Sequence, residues 1–181
     1  MSYGTKSIDN SQDIIDSRDV IKRIEELEGD RQALQDAVDE AQEALDKAIE
    51  EHVAAGRHET LTQRKAVEDA QEDLRRAKCE LEEWTGDEEA EIDPSDDAEE
   101  LKALKELADD MENECEWESG TTLIRESYFT EYAEQLAGDI GAISPDAQWP
   151  LSHIDWEAAA SELKNDYSTV EFGEETYYFH S

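Results

Sequence analysis

Apolar residues recur along the first half of this chain at alternating intervals of three and four. Val20, Ile24, Leu27, Leu34, Val38, Ala41, Leu45 and Ala48 form one such seam, interrupted only at Arg31. The seam holds for about four heptads and predicts a helix of about 35 residues, roughly 50 Å long. Ser17 or Asp16 supplies its start cap. Ala54-Ala55-Gly56-Arg57-His58 breaks the repeat, and Gly56 suits a helix end. A second seam runs through Val67, Ala70, Leu74, Ala77, Leu81 and Trp84. Alanines on both seams permit close approach, so residues 17–84 read as an antiparallel coiled-coil hairpin behind a flexible N-terminus, residues 1–16.

From Thr85 to Pro94 the pattern stops, punctuated by Gly86 and Pro94. Ser95 or Asp96 then caps a short helix striped by Leu101, Leu104, Leu107, Ala108 and Met111. Residues 85–119 read as an acidic linker carrying that helix, either solvated and partly disordered or an ordered acidic surface. Beyond residue 120 the aromatics concentrate. Phe129, Tyr132, Ala133, Leu136, Ala137 and Ile140 sit at helical spacing, closed by Gly141. Trp149-Pro150 marks a loop. Asp155 caps a second helix, with Ile154 before it as a hydrophobic staple, and Trp156, Ala159, Ala160, Leu163 and Tyr167 make its buried stripe. Thr169–Phe172 and Thr176–Phe179 around Gly173-Glu174-Glu175 predict a β-hairpin. The expected fold class is mostly α with a small α+β C-terminal domain: a long antiparallel helical hairpin, then two helices and a β-hairpin. The α+β part, residues 120–181, is small enough to need the helical part or a second subunit.

Charge changes the picture most. The chain has 51 acids against 16 Lys and Arg, net −35 on 181 residues. Residues 1–79 hold 20 acids and 12 bases, residues 80–119 hold 19 and 2, and residues 120–181 hold 12 and 2. Duplex DNA carries one charge per ~1.7 Å of axis, so 35 charges match about 60 Å of duplex. Nucleic-acid and anionic-membrane surfaces need Lys/Arg clusters, and this composition excludes both. Self-repulsion on that scale destabilises a compact chain unless something basic compensates.

The search for chemistry finds little. His52, His58, His153 and His180 have no metal-ligand spacing, and GxSxG, Walker and GxGxxG motifs are absent. His153 near Asp155 has no nucleophile beside it. Asp87 to Glu99 is acid-rich but lacks the central glycine and the twelfth-position Glu of an EF-hand loop. Cys79 and Cys115 are too few for a disulfide framework and are expected as ordinary thiols in a reducing cytosol. MSYGTKSIDN lacks a signal pattern and no apolar run reaches ~18 residues. A soluble, cytoplasmic, non-enzymatic protein without cofactor or metal is expected.

One stretch is more specific. Ser127-Tyr128-Phe129-Thr130-Glu131-Tyr132-Ala133-Glu134-Gln135-Leu136, Ile140-Gly141-Ala142-Ile143, Trp149-Pro150-Leu151, His153-Ile154-Asp155-Trp156-Glu157-Ala158-Ala159-Ala160 and Asp166-Tyr167-Ser168-Thr169-Val170-Glu171-Phe172 together resemble the C-terminal part of ArdA-type antirestriction proteins. The resemblance spans residues 126–179, less than a third of the chain, and the coiled-coil half departs from the family. It implies an acidic DNA mimic of phage or mobile-element origin, a homodimer that occupies the DNA groove of type I restriction–modification enzymes. The acids it nominates as phosphate mimics are Glu131, Glu134, Asp139, Asp146, Asp155, Glu157, Glu162, Asp166 and Glu171, with Asp155 also a helix cap. The expected partner is a basic DNA-binding protein, most readily a restriction–modification enzyme. The rival reading is a non-catalytic acidic coiled-coil adaptor, adapted to salt, that binds another basic protein such as a nucleoid protein.

Overall fold

Both heptad seams lie on helices in the computed structural model, which describes residues 6–55, 60–87, 90–114, 116–144 and 153–180. Helix α1 runs Ser17–Ala55 and α2 runs Leu61–Thr85. Leu45, Ala70 and Leu74 form one buried cluster, with Val38, Ala41, Ala48 and Val67 packed against it. Small residues on both helices make that contact close. A capping box starts α2: the Gln63 N–H donates to Thr60 Oγ1 at 3.3 Å, and the Thr60 N–H donates to Gln63 Oε1 at 2.9 Å. Gly86 ends it, at φ +76°, where a Cβ would lie 2.7 Å from the Pro94 nitrogen. The expected turn at Gly56-Arg57-His58 lies outside the described residues.

The acidic stretch after α2 is ordered where it is described. Asp87 and Ile92 exchange backbone hydrogen bonds of 2.8 and 2.9 Å. Ser95 then caps α3 (Asp96–Asp110): its Oγ accepts from the Ala98 N–H at 3.2 Å and donates to the Trp84 carbonyl at 3.0 Å. Asp96, Asp97 and Glu99 occupy the first turn, where the helix dipole favours negative charge. The stripe is buried as its spacing predicts: Leu101, Leu104, Leu107 and Met111 are all nearly inaccessible. The helix in the stretch read as a linker therefore contributes to the core.

A four-stranded antiparallel sheet organises the rest, in the order β1-β2-β4-β3. Its strands are β1 (Ile14–Asp16), β2 (Thr122–Arg125), β3 (Ser168–Phe172) and β4 (Glu175–Phe179). The expected hairpin is β3–β4, with Phe172 opposite Glu175 across Gly173-Glu174. Beta2 extends it through Ile124 opposite Tyr178, and β1 extends it again through Ile15 opposite Leu123. Alternation sorts the side chains by face. Ile15, Leu123, Val170, Tyr177, Phe172 and Phe179 are buried on one side. On the other, Ile124 and Tyr178 join Phe129, Ala133 and Ala160 in a cluster with Tyr128, Tyr132, Leu163 and Tyr167. That second face is covered by α5 (Phe129–Asp139) and α6 (Trp156–Leu163). A single turn, α4 (Trp117–Gly120), precedes β2.

The ends of these helices follow the sequence with two differences. Gly141, at φ +72°, closes α5: its N–H donates to the Gly138 carbonyl at 3.0 Å and the Ala142 N–H to the Ala137 carbonyl at 2.9 Å. Ile140, expected in the buried stripe, is instead 70% exposed because the chain has already turned there. Asp155 caps α6 by accepting the Ala158 N–H at 3.0 Å. That helix stops at Leu163, passes through a 3-10 turn at Lys164–Asp166, and delivers Tyr167 in extended backbone. Tyr167 still packs in the cluster, as the entry to β3 rather than the last residue of a helical stripe. Trp149-Pro150 lies outside the described residues.

Two compact units result: Met1–Ile24 with Lys102–Ser181, and Glu25–Leu101. Boundaries at 16, 84 and 119 do not match this grouping. Residues 14–16, expected to be flexible, are a sheet strand, because Ile15 fills the buried face and is only 3% exposed. The α+β part does not start at residue 120: it recruits both β1 and the end of α3. No helix among the described residues is long and apolar enough to cross a membrane.

Candidate acidic interface

The acids nominated on α5 and α6 all point outward. Glu131, Glu134 and Asp139 on α5, Glu157 and Glu162 on α6, and Asp166 in the following turn are exposed. Glu131 and Glu134 lie on the side of α5 opposite Phe129 and Ala133, as a period of 3.6 requires. Asp155 and Glu171 are exposed too, but each is engaged. The Asp155 carboxylate holds the α6 cap, and the Glu171 carboxylate accepts the Thr176 hydroxyl at 3.0 and 3.2 Å across the β3–β4 pair. Asp146 lies outside the described residues. Spacing brings Glu131 and Glu134 onto one face, but it does not join Glu157 to Glu162, which sit five residues apart on different sides of α6.

What makes this surface negative is the placement of its bases. Residues 120–181 contain only Arg125 and Lys164, and both are occupied inside the unit. Arg125 pairs with Asp13 at 2.5 Å. Lys164 Nζ lies 3.0 Å from Glu126 Oε1, 4.5 Å from the Tyr178 ring centroid and 5.5 Å from that of Phe129. The hydrogen bond from Lys164, then its charge, holds the Glu126 carboxyl below the usual range. Glu126 was not among the nominated acids, and its pairing keeps it out of the free surface.

Other acids of the same unit were not nominated as phosphate mimics, although those of α3 were expected in an acidic linker or an ordered acidic surface. Glu106, Asp109, Asp110 and Glu112, at and beyond the end of α3, are exposed, and the grouping in space puts them in the unit that carries α5 and α6. Glu174 is exposed in the β3–β4 turn. The signal available was the α3 stripe: a helix with Leu104, Leu107 and Met111 buried must show its remaining faces, nearly all carboxylate, to solvent.

Chemical machinery is not gathered here. No group of three or more His, Cys, Asp or Glu able to hold a metal occurs among the described residues. One concavity is lined by Glu28, Gly29, Arg31, Gln32 and Gln35, and another by Lys6, Ile8, Gln12, Ile14, Ile15, Asp16 and Asp19; neither sets a nucleophile beside a base. Burial raises the Tyr177 hydroxyl to about 12 and also raises that of Tyr167, whose oxygen is 3.1 Å from Tyr132 Oη. These shifts belong to core packing.

No family model, curated protein or solved structure matches this chain.

Proposed function

We propose that this protein is an acidic DNA mimic that inhibits a DNA-binding defence enzyme, a type I restriction–modification enzyme first, by competing for its DNA groove. The observation that carries this reading is charge on an ordered scaffold. The acids of α5 and α6 point outward, while Arg125 and Lys164, the two bases of residues 120–181, are taken up by Asp13 and Glu126. The resemblance of residues 126–179 to ArdA-type proteins supports the same assignment. Carboxylates fixed on short helices meet the Lys and Arg that otherwise contact phosphates, so association is steered and weakened by salt. On this reading the protein is phage-encoded or carried by a mobile element, works in the host cytoplasm, forms a homodimer and needs no cofactor.

The test is cleavage of unmodified plasmid by a purified type I restriction enzyme, with and without this protein, at low and moderate salt. Inhibition that fades with salt supports competition with DNA. Full cleavage at every salt concentration removes the proposal.

A second reading, the acidic coiled-coil adaptor, is favoured by one observation. Ile49, Val53 and Leu61 are large, apolar and exposed on α1 and α2, Val53 at 69% and Leu61 at 86%. Such side chains suit contact with another protein. If the acidity is salt adaptation, folding requires molar salt; a stable fold at low salt removes that part.

A further inference from the structure

A stripe along one flank of α5, starting at Tyr128 in the 3-10 turn just before it, is aromatic as well as acidic. Tyr128, Glu131, Tyr132 and Gln135 follow one another at helical spacing. Gln135 Nε2 donates to Tyr128 Oη at 2.6 Å and to Glu131 Oε1 at 3.3 Å, so one side chain ties ring and carboxylate together. Tyr132 continues the stripe and meets Tyr167 hydroxyl to hydroxyl, and Asp166 stands next to Tyr167 in the chain. These tyrosines are half-buried and pack on the Phe129 cluster; Tyr167 also meets the His180 ring edge-on at 5.5 Å.

The chain already shows how such a surface receives a cation. Lys164 rests over the Tyr178 ring while its ammonium pairs with Glu126. A ring face and a carboxylate hold one positive charge together. The stripe also sets rings beside a carboxylate, Tyr128 and Glu131 being joined through Gln135 with Tyr132 next to them, and both bases of residues 120–181 are engaged elsewhere.

We infer that this tyrosine–carboxylate stripe is the anchor of the interface and that it selects arginine on a basic partner. The inference rests on the mimic reading and names the chemistry of its partner. Charge complementarity supplies the partner's sign. The rings supply the preference, because a planar guanidinium stacks on an aromatic face and pairs with a carboxylate at once, whereas an ammonium is a compact, strongly hydrated charge. Interface energy concentrates in such aromatic anchors while surrounding acids steer.

The experiment uses the full chain with two probes, deca-arginine and deca-lysine peptides, titrated at low and moderate salt. Wild type is expected to bind deca-arginine more tightly, and the difference should survive added salt. Tyr132→Leu should lower deca-arginine affinity about 3- to 10-fold, the range of a cation–π contact, and leave deca-lysine nearly unchanged. Glu131→Gln, which leaves the core untouched, should also shrink the preference, whereas Glu157→Gln should weaken both peptides equally. Circular dichroism checks that Tyr132→Leu folds; if it does not, Glu131→Gln decides. Equal affinity of wild type for the two peptides overturns the inference, as does an equal loss for both peptides in Tyr132→Leu or in Glu131→Gln. Plasmid protection separates the two readings. A protein that protects plasmid without arginine preference keeps the mimic and loses the anchor. One that prefers arginine but protects nothing keeps the anchor and loses the restriction target.

Discussion

Ser17 and Thr121 stand 104 residues apart in sequence and are joined by two hydrogen bonds. The Thr121 N–H donates to Ser17 Oγ at 2.7 Å, and the Ser17 N–H donates to the Thr121 carbonyl at 2.9 Å. Ser17 Oγ in turn donates to the Trp117 carbonyl at 2.6 Å, and the serine is wholly buried. The first residue of α1 thereby fixes the turn that leads into β2. Ser17→Ala strands a buried N–H and a buried carbonyl, each costing about 1–3 kcal/mol. A loss of about 2–4 kcal/mol in urea unfolding is expected. A change below about 0.5 kcal/mol would mean that water replaces the hydroxyl.

Lys164 and Glu126 give an acid-side prediction. The Glu126 carboxyl is held below its ordinary value by Lys164. A lowered carboxyl stabilises the fold above its unfolded pKa, and that contribution is lost as pH falls through the folded pKa. The pair is partly exposed, with the Glu126 side chain 54% accessible, so its worth is about 1 kcal/mol or less. Lys164→Met keeps the stem over the rings and removes the charge. Its stability deficit at neutral pH should narrow on acidification below the carboxylate range, followed by urea unfolding across that interval.

Tyr177 gives the alkaline counterpart. Its hydroxyl donates to the Gln12 carbonyl at 2.7 Å, and burial raises its pKa from 10.0 to about 12. A raised pKa stabilises fully below the unfolded value, and the gain is lost as pH climbs through about 12. Tyr177→Phe gives up one hydrogen bond, about 0.5–1.5 kcal/mol near neutrality. It should lose less further stability than wild type between about pH 9 and pH 11.5, the interval in which the unfolded tyrosine titrates first. Parallel curves for the two proteins would contradict this.

Gly141 and Gly173 separate two costs. Both have positive φ, +72° and +63°. A Cβ on Gly141 meets nothing within 4 Å, whereas one on Gly173 lies 2.8 Å from Asn10 Nδ2. Gly141→Ala should cost about 1–2 kcal/mol from backbone strain alone, and Gly141→Asn less, because Asn tolerates this region. Gly173→Ala should cost at least as much as Gly141→Ala, since Asn10 must also move. Thermal melts of the three variants make the comparison.

Periodicity made much of this fold legible. The two heptad seams, the α3 stripe, the Asp155 cap, the Gly141 closure and the β3–β4 hairpin all depend on neighbours within a few residues, and that is what a sequence displays. Beta1 and β2 did not show, because three- and four-residue strands carry almost no pattern and Ile15 acquires its meaning only opposite Leu123. The same limit hid the Ser17–Thr121 tie and moved the unit boundary. The acids of α5 and α6 were legible as outward carboxylates. Which of them are free was not, because the pairing of Lys164 with Glu126 and of Arg125 with Asp13 spans 38 and 112 residues.

The sheet's first strand is synthesised long before the other three. Beta2, its neighbour in the sheet, is made more than a hundred residues later. At about 5–20 residues per second the wait is roughly 5–20 s. Alpha1 and α2 are complete within it and bury Leu45 against Leu74, while Ile15 must stay in water until Leu123 emerges. Synthesis therefore finishes the helical unit first and leaves the acidic unit to close in a late, long-range step, the kind that sets slow folding rates.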